Sequence, residues 1–362
     1  MSLTPLMIAF VVSTLALAVL YPLSITLGFL DHPGERRKIH HHSIPPIGGL
    51  AIFAGMLAGC LFLDVLDTRL LFGMLGAAIL VVVGAIDDRD SLGTKSRFAA
   101  QIMASLCLIL GTGLTLTDLG DLIGFGPIEL GWLAVPFTLF AMVGVINAFN
   151  LIDGIDGLAG GLALIGLVTL LLLSPELSGL KTLMLITIAA LIPYLVSNLE
   201  LFGLRGCKVF LGDAGSMLLG YILVWASIDA SQPGGPIHPV TALWIIAIPL
   251  MDTLAVVLWR LLRGTSPFKA DRSHLHHLLS RLLGSTRLAL VVILTLATVL
   301  AVMGVALDLK DVASSITFFA ALGIFGVYLV LLGQPQWLLR VLRCRHHARP
   351  LLRVTHGEIK GV

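Results

Sequence analysis

Apolar residues run along this chain in long unbroken blocks, without the alternation or the three-to-four-residue stripe of a soluble domain. The blocks fall near 5–29, 46–66, 70–86, 97–116, 131–149, 158–174, 180–201, 213–229, 239–262, 288–307 and 314–333. A hydrocarbon core about 30 Å thick needs about 17–25 such residues at about 1.5 Å per residue of helix. Inside lipid a backbone must satisfy its own N–H and C=O groups, so each block is expected to be helical. The pattern predicts an all-α polytopic membrane protein of about eleven transmembrane helices. Pro136, Pro193 and Pro249 lie inside blocks, which membrane helices tolerate.

Composition agrees. Of 362 residues 57% are hydrophobic and 12% charged, and the mean hydropathy is +1.00. These values exclude the two soluble domains that length alone would suggest. Cys60, Cys107, Cys207 and Cys344 are dispersed, which excludes a disulfide framework or a paired-cysteine zinc site. The N-terminus lacks the basic start of a signal peptide, so the first block is expected to be a retained span. No internal repeat is visible. We expect one transmembrane domain over 1–335 and a basic tail over 336–362.

Net charge is only +2, but its distribution is lopsided. Twenty of the 23 Lys and Arg residues fall on one set of loops and the tail; Arg69, Lys181 and Lys310 alone fall on the other. The positive-inside rule then puts the N-terminus outside and the C-terminus in the cytoplasm. The outer loops are short and acidic connectors.

The inner loops carry the unusual chemistry. Asn147, Asn150, Asp153 and Asp156 recur every third residue after one apolar block, so neighbours can share a helix face. Carboxylates at membrane depth cost about 2.5–3.5 kcal/mol each and are functional by default. Asp87 and Asp88 end another block. There they oppose the dipole of their own helix, so capping explains them poorly, whereas adjacent acids suit Mg²⁺ shared with a phosphate. Asp213 sits between Gly212 and Gly215, where it could cap a helix or where the backbone could approach an anion. His274, His276 and His277 follow the basic residues Lys269 and Arg272, a mixture that suits a pyrophosphate better than a metal. In the first inner loop, Pro45, Pro46, Gly48 and Gly49 fix a chain path that a simple lipid anchor would not need. His40, His41 and His42 read as a neutral surface tract, and the tail as resting on anionic lipid.

Acids for a metal and bases for phosphates thus gather at one membrane–water boundary. That layout fits transfer between a soluble nucleotide-activated substrate and a lipid phosphate. The stretches Asp87-Asp88, Asn147-x-x-Asn150-x-x-Asp153-Gly-x-Asp156-Gly, Phe210-Leu-Gly-Asp213-Ala-Gly-Ser216 and His274-x-His276-His277 resemble the polyprenyl-phosphate N-acetylhexosamine-1-phosphate transferases. Arg37-Lys38-x-His40 and Pro46-x-Gly48-Gly49 are also similar. The run from Ser266 through Asp271 and Arg272 to His277 resembles the WecA-type bacterial branch rather than the related MraY translocases. One departure stands out: the WecA-type pattern has a third acid where this chain has Ser91, with Asp90 one place early.

The resemblance implies transfer of N-acetylglucosamine-1-phosphate from UDP-GlcNAc to undecaprenyl phosphate, releasing UMP and starting a cell-envelope polysaccharide such as O-antigen. It implies a multi-pass protein of the bacterial inner membrane with its active site on the cytoplasmic face. Asp213 with Asn150 or Asp153 would hold Mg²⁺, for which Mn²⁺ could substitute. Asp87 or Asp88 would deprotonate or orient the lipid phosphate, and Asp153 and Asp156 would complete a catalytic acidic cluster. Arg272, His274, His276 and His277 would meet the nucleotide diphosphate, with Lys95, Asn147 and Asn150 also binding substrate. No nucleic-acid partner is expected; a homodimer is compatible. The rival reading, an ion-coupled transporter or flippase, asks for ionisable groups near the midplane and often for inverted repeats.

Overall fold

A computed structural model describes residues 3–31, 43–63, 67–174, 179–203, 206–266 and 274–333. Among them lie thirteen α-helices and no named strand. In order they are α1 (Thr4–Leu27), α2 (Gly48–Leu61), α3 (Thr68–Asp90), α4 (Thr94–Thr112), α5 (Ala134–Ile152), α6 (Leu158–Leu173) and α7 (Gly179–Asn198). Then come α8 (Gly212–Ser231), α9 (Pro239–Ile245), α10 (Ala247–Leu262), α11 (Leu275–Leu283), α12 (Thr286–Leu309) and α13 (Ser314–Gly333). Each apolar block of the sequence appears as helix.

Seven helices (α1, α3, α5 with the turn before it, α7, α8, α12 and α13) are long and apolar enough to cross a membrane. This makes the chain a multi-pass membrane protein. The 14 residues of α2 and the 16 of α6 are apolar but shorter. Lys95 and Arg97 open α4 and dilute its hydropathy. The expected single span over 239–262 is broken: α9 and α10 meet at 82°. Ile246 leaves helical geometry at φ −103°, ψ 19°. Three residues on, Pro249 has no N–H to give to the carbonyl of residue 245, so the break has a local cause.

The centre of the bundle is α8, which packs against α2, α3, α5 and α6. In its hydrophobic window 94% of residues are buried, against 17% in α1 and 11% in α13, whose apolar faces are left for lipid. Close approach at the head of α8 depends on glycine. A Cβ on Gly49 would sit 2.1 Å from the Gly215 nitrogen, and one on Gly84 would sit 2.4 Å from the Ala214 Cα. The segment before α2 pairs with the segment before α8: Phe210 donates N–H to the Pro45 carbonyl, and Gly48 and Gly49 donate to those of Phe210 and Leu211. This is the chain path that the prolines and glycines of the first inner loop anticipated.

Candidate active site

The four-residue polar repeat begins on α5 and leaves it. Asn147 and Asn150 lie in the last turns of the helix, but Asp153 already has φ −73° and ψ 69°, and Gly157 turns left-handed at φ 73°. A shared helix face therefore holds only for the two asparagines. Beyond them the loop is braced by Asn198, which accepts from the Gly157 N–H (2.6 Å) and donates to the Val209 carbonyl (2.8 Å). Asn147 is held by the Val143 carbonyl (2.8 Å) and by an amide pairing with buried Gln101 of α4. Asn150 donates to Asp213 Oδ1 (2.8 Å) and Ser216 Oγ (3.0 Å), which leaves its own Oδ1 as a ligand atom.

Capping explains Asp88 after all, though on another helix. Its carboxylate accepts the N–H groups of Asp213 (2.8 Å) and Ala214 (3.3 Å), stitching the end of α3 to the start of α8. A Cβ on Gly212 would meet Asp88 Oδ2 at 2.5 Å, so this cap requires glycine. Asp213 is thus capped rather than capping. Asp87 is buried, and no hydrogen bond reaches its Oδ2. Arg97 of α4 approaches that oxygen to 3.3 Å and Asp213 Oδ2 to 3.7 Å.

Asp87, Asp88, Arg97, Asn147, Asn150 and Asp213 line one cavity of about 1190 Å³, together with Asp153, Asp156, His274, His276 and His277. Burial, then the neighbouring charges of Asp213 and Asp156, push the Asp153 carboxyl up to about 8. Asp156 forms an ion pair with Lys208 at 2.6 Å. His276 seats its ring against Gly154, where a Cβ would come within 2.1 Å of Nε2. Burial, reinforced by His277, holds the His276 ring down to about 3, so it is neutral at ordinary pH. All three histidines line the cavity, and His276 does so as a neutral ring whose buried Nδ1 meets no hydrogen-bond partner.

One expected residue is not brought in. Lys95 stays exposed and does not line the cavity; Arg97, two residues on, does. Arg272 lies outside the described residues, as do the early histidine tract and the tail. Sequence reasoning missed Arg97, Gln101, Arg260 and Asp252. Arg97 carried a signal: a cation in the first turn of a helix opposes the dipole and asks for an acid. Asp252 carried another, as a lone acid inside an apolar block.

The donor set fits a hard divalent cation. It is all oxygen, its carboxylates outnumber the cations among them, and Asp87 Oδ2 is buried without a hydrogen bond. Among the described residues, no three acids or histidines already converge as a finished metal shell.

Fold and cavity together define a membrane-embedded catalyst of phosphoryl chemistry, with its polar machinery at one end of a helical bundle. The chain belongs to glycosyl transferase family 4, whose profile matches residues 70–231, and it is a sugar-phosphate transferase. It is 38% identical over 307 residues to the undecaprenyl-phosphate alpha-N-acetylglucosaminyl 1-phosphate transferase of Yersinia pestis, covering 83% of each chain. It is 38% identical over 308 residues to the Escherichia coli K12 protein of that name (83% of each). The Haemophilus influenzae protein of that name is 36% identical over 305 residues, 82% of this chain and 84% of the relative. The family in general is metal-dependent.

Proposed function

We propose that this protein transfers N-acetylglucosamine-1-phosphate from UDP-GlcNAc to undecaprenyl phosphate, releasing UMP, at the cytoplasmic face of a bacterial inner membrane. The observation that carries this reading is the shape of the cavity. From the acids and histidines it continues along α5 past Val143, Gly144, Phe140, Leu139 and Pro136. Fourteen residues of helix separate Asn150 from Pro136, about 20 Å of depth. A polar head joined to an apolar groove of that length suits a phosphate carried on a polyprenyl chain.

In the direct mechanism an oxygen of the lipid phosphate attacks the β-phosphorus of the UDP-sugar. The new P–O bond forms as the bond from that phosphorus to the α,β-bridging oxygen breaks, and UMP leaves with the bridging oxygen. Asp87, whose Oδ2 faces Arg97 at 3.3 Å beside the cavity, orients the attacking phosphate and takes any proton it carries. Asp88, occupied by two N–H groups of α8, keeps Asp213 in place. Arg97 meets the charge that grows on the transferring phosphoryl group. Asp213, Asn150 and Asp153 are the residues that would hold Mg²⁺, which when bound neutralises phosphate charge and polarises the β-phosphorus. His274 and His277 serve the donor's diphosphate.

Purified protein is expected to release UMP only when UDP-GlcNAc, undecaprenyl phosphate and Mg²⁺ are all present, and to stop when the metal is chelated. Release from UDP-GalNAc instead would keep the chemistry and replace the donor. No release from any UDP-sugar by folded protein would sink the reading. The eleven crossings rest on the apolar blocks, and the orientation on the lopsided Lys and Arg distribution. Exposed Cys207 should react with an impermeant thiol reagent in inverted vesicles and not in intact cells; the reverse would overturn the topology.

A further inference from the structure

Asp252 is fully buried in α10. Its carboxylate gathers three donors from two other elements. Oδ2 pairs with Nδ1 of His274 at 2.8 Å, and Oδ1 accepts the Leu275 N–H at 2.9 Å and the Tyr328 hydroxyl of α13 at 2.6 Å. A carboxylate can only accept, so the proton of a neutral His274 ring resides on Nδ1 and Nε2 is left as the working atom. The ring is fixed on a second side by stacking against His276, with centroids 5.7 Å apart and planes at 12°. His274 lines the cavity; Asp252 does not.

We propose that Asp252, steadied by Tyr328, is a positioning residue that sets the tautomer and ring orientation of His274 and so presents Nε2 to the diphosphate of the nucleotide-sugar donor. The proposal rests on reading the histidine loop as the donor's site. Asp252 reaches no substrate atom; it acts through the imidazole. The plainer alternative is that Asp252 only docks the first turn of α11, whose leading N–H it accepts.

Asp252→Asn separates the two. An asparagine Oδ1 still accepts from Leu275 and Tyr328, so α11 stays docked. Its NH₂ group donates where Oδ2 accepted, so His274 Nδ1 must become the acceptor and the proton moves to Nε2. The test uses the full chain in nanodiscs, with ¹⁵N-labelled histidine and the His274 signals assigned by difference from His274→Gln. Wild type should show the Nδ1–H pattern and Asp252→Asn the Nε2–H pattern, with Tm unchanged. In UMP-release assays Asp252→Asn should raise the KM for UDP-GlcNAc about 10–100-fold, the size of the loss when the partner that orients a metal-ligating histidine is removed, and leave the KM for undecaprenyl phosphate alone. Asp252→Asn with wild-type KM, or with the wild-type tautomer, overturns the proposal in favour of docking. Should that variant not fold, Tyr328→Phe carries the same readout: a smaller rise in the donor KM supports the proposal and no rise overturns it. If wild type releases no UMP, the transferase reading fails alone, because the NMR arm needs no substrate and still decides the tautomer.

Discussion

At the residue scale, the two adjacent acids of α3 are chemically identical and structurally opposite. Asp87 turns its Oδ2 to the Arg97 side chain in the cavity, and Asp88 has both oxygens committed to the head of α8. Asp87→Asn, which keeps an acceptor for Arg97 but cannot take a proton, is expected to lower kcat about 10²–10⁴-fold with little change in Tm. Asp88→Ala should lower Tm as well, by the equivalent of about 0.5–2 kcal/mol for a lost cap. Asp88→Asn should recover most of that stability. Thermal melts beside UMP release would check both, and equal melting of the Asp87 and Asp88 variants would refute the division. His276 gives a pH prediction. Its folded value near 3 lies below the ordinary histidine value of about 6.5, so the unfolded chain takes up the proton more readily. Its contribution is intact above about pH 6.5 and erodes as pH falls toward 3. Between pH 7.5 and 5.5 stability should fall by about 1 kcal/mol, a slope that His276→Gln should flatten in melts across that range. The Asp87–Asp88 pair, the repeat from Asn147 to Asp156, Asp213 and the three histidines of the cavity were legible in the sequence as polar groups out of place beside apolar blocks. Their partners were not. The link from Asp88 to Ala214, or from Asp252 to His274, depends on which helices become neighbours, and apolar blocks do not encode that order.

At the element scale, the helices were legible because lipid leaves the backbone no alternative, whereas the 82° break between α9 and α10 was hidden inside an apolar run. Pro249 marks it, but prolines within membrane helices are common enough that Pro193, inside the continuous α7, gave no break. The site itself is set by how closely α2 and α3 approach α8. Gly49→Val should force these helices apart, because its Cβ would overlap the Gly215 backbone rather than a movable side chain. Overpacking of this kind costs about 1–3 kcal/mol or more. Lower Tm together with lost transfer is the expected outcome, and a wild-type melt would show that the approach is looser than described. An inserted alanine at Gly144, which meets nothing within 4 Å, should be harmless by comparison.

At the scale of the whole molecule, the cavity joins two solvents. On the proposed function its polar end would meet the nucleotide sugar from water, and its apolar arm along α5 would receive the lipid. The two substrates can therefore be perturbed separately. Gly144→Phe places a ring in the open arm and should raise the KM for undecaprenyl phosphate with little effect on that for UDP-GlcNAc. Kinetics with each substrate varied in turn would test this, and a matched rise in both would mean that the arm is not the lipid's path. The same molecule carries a historical consequence in Asp88. Because that residue fastens α3 to α8 while lining the cavity, selection on stability guards it independently of selection on transfer. A descendant copy that had lost its activity would be free to drift at Asp153, yet would keep Asp88 and Gly212 for as long as it folded. In genomes that carry silent copies of this chain, the order in which these acids decay should record which of them served the reaction and which the architecture.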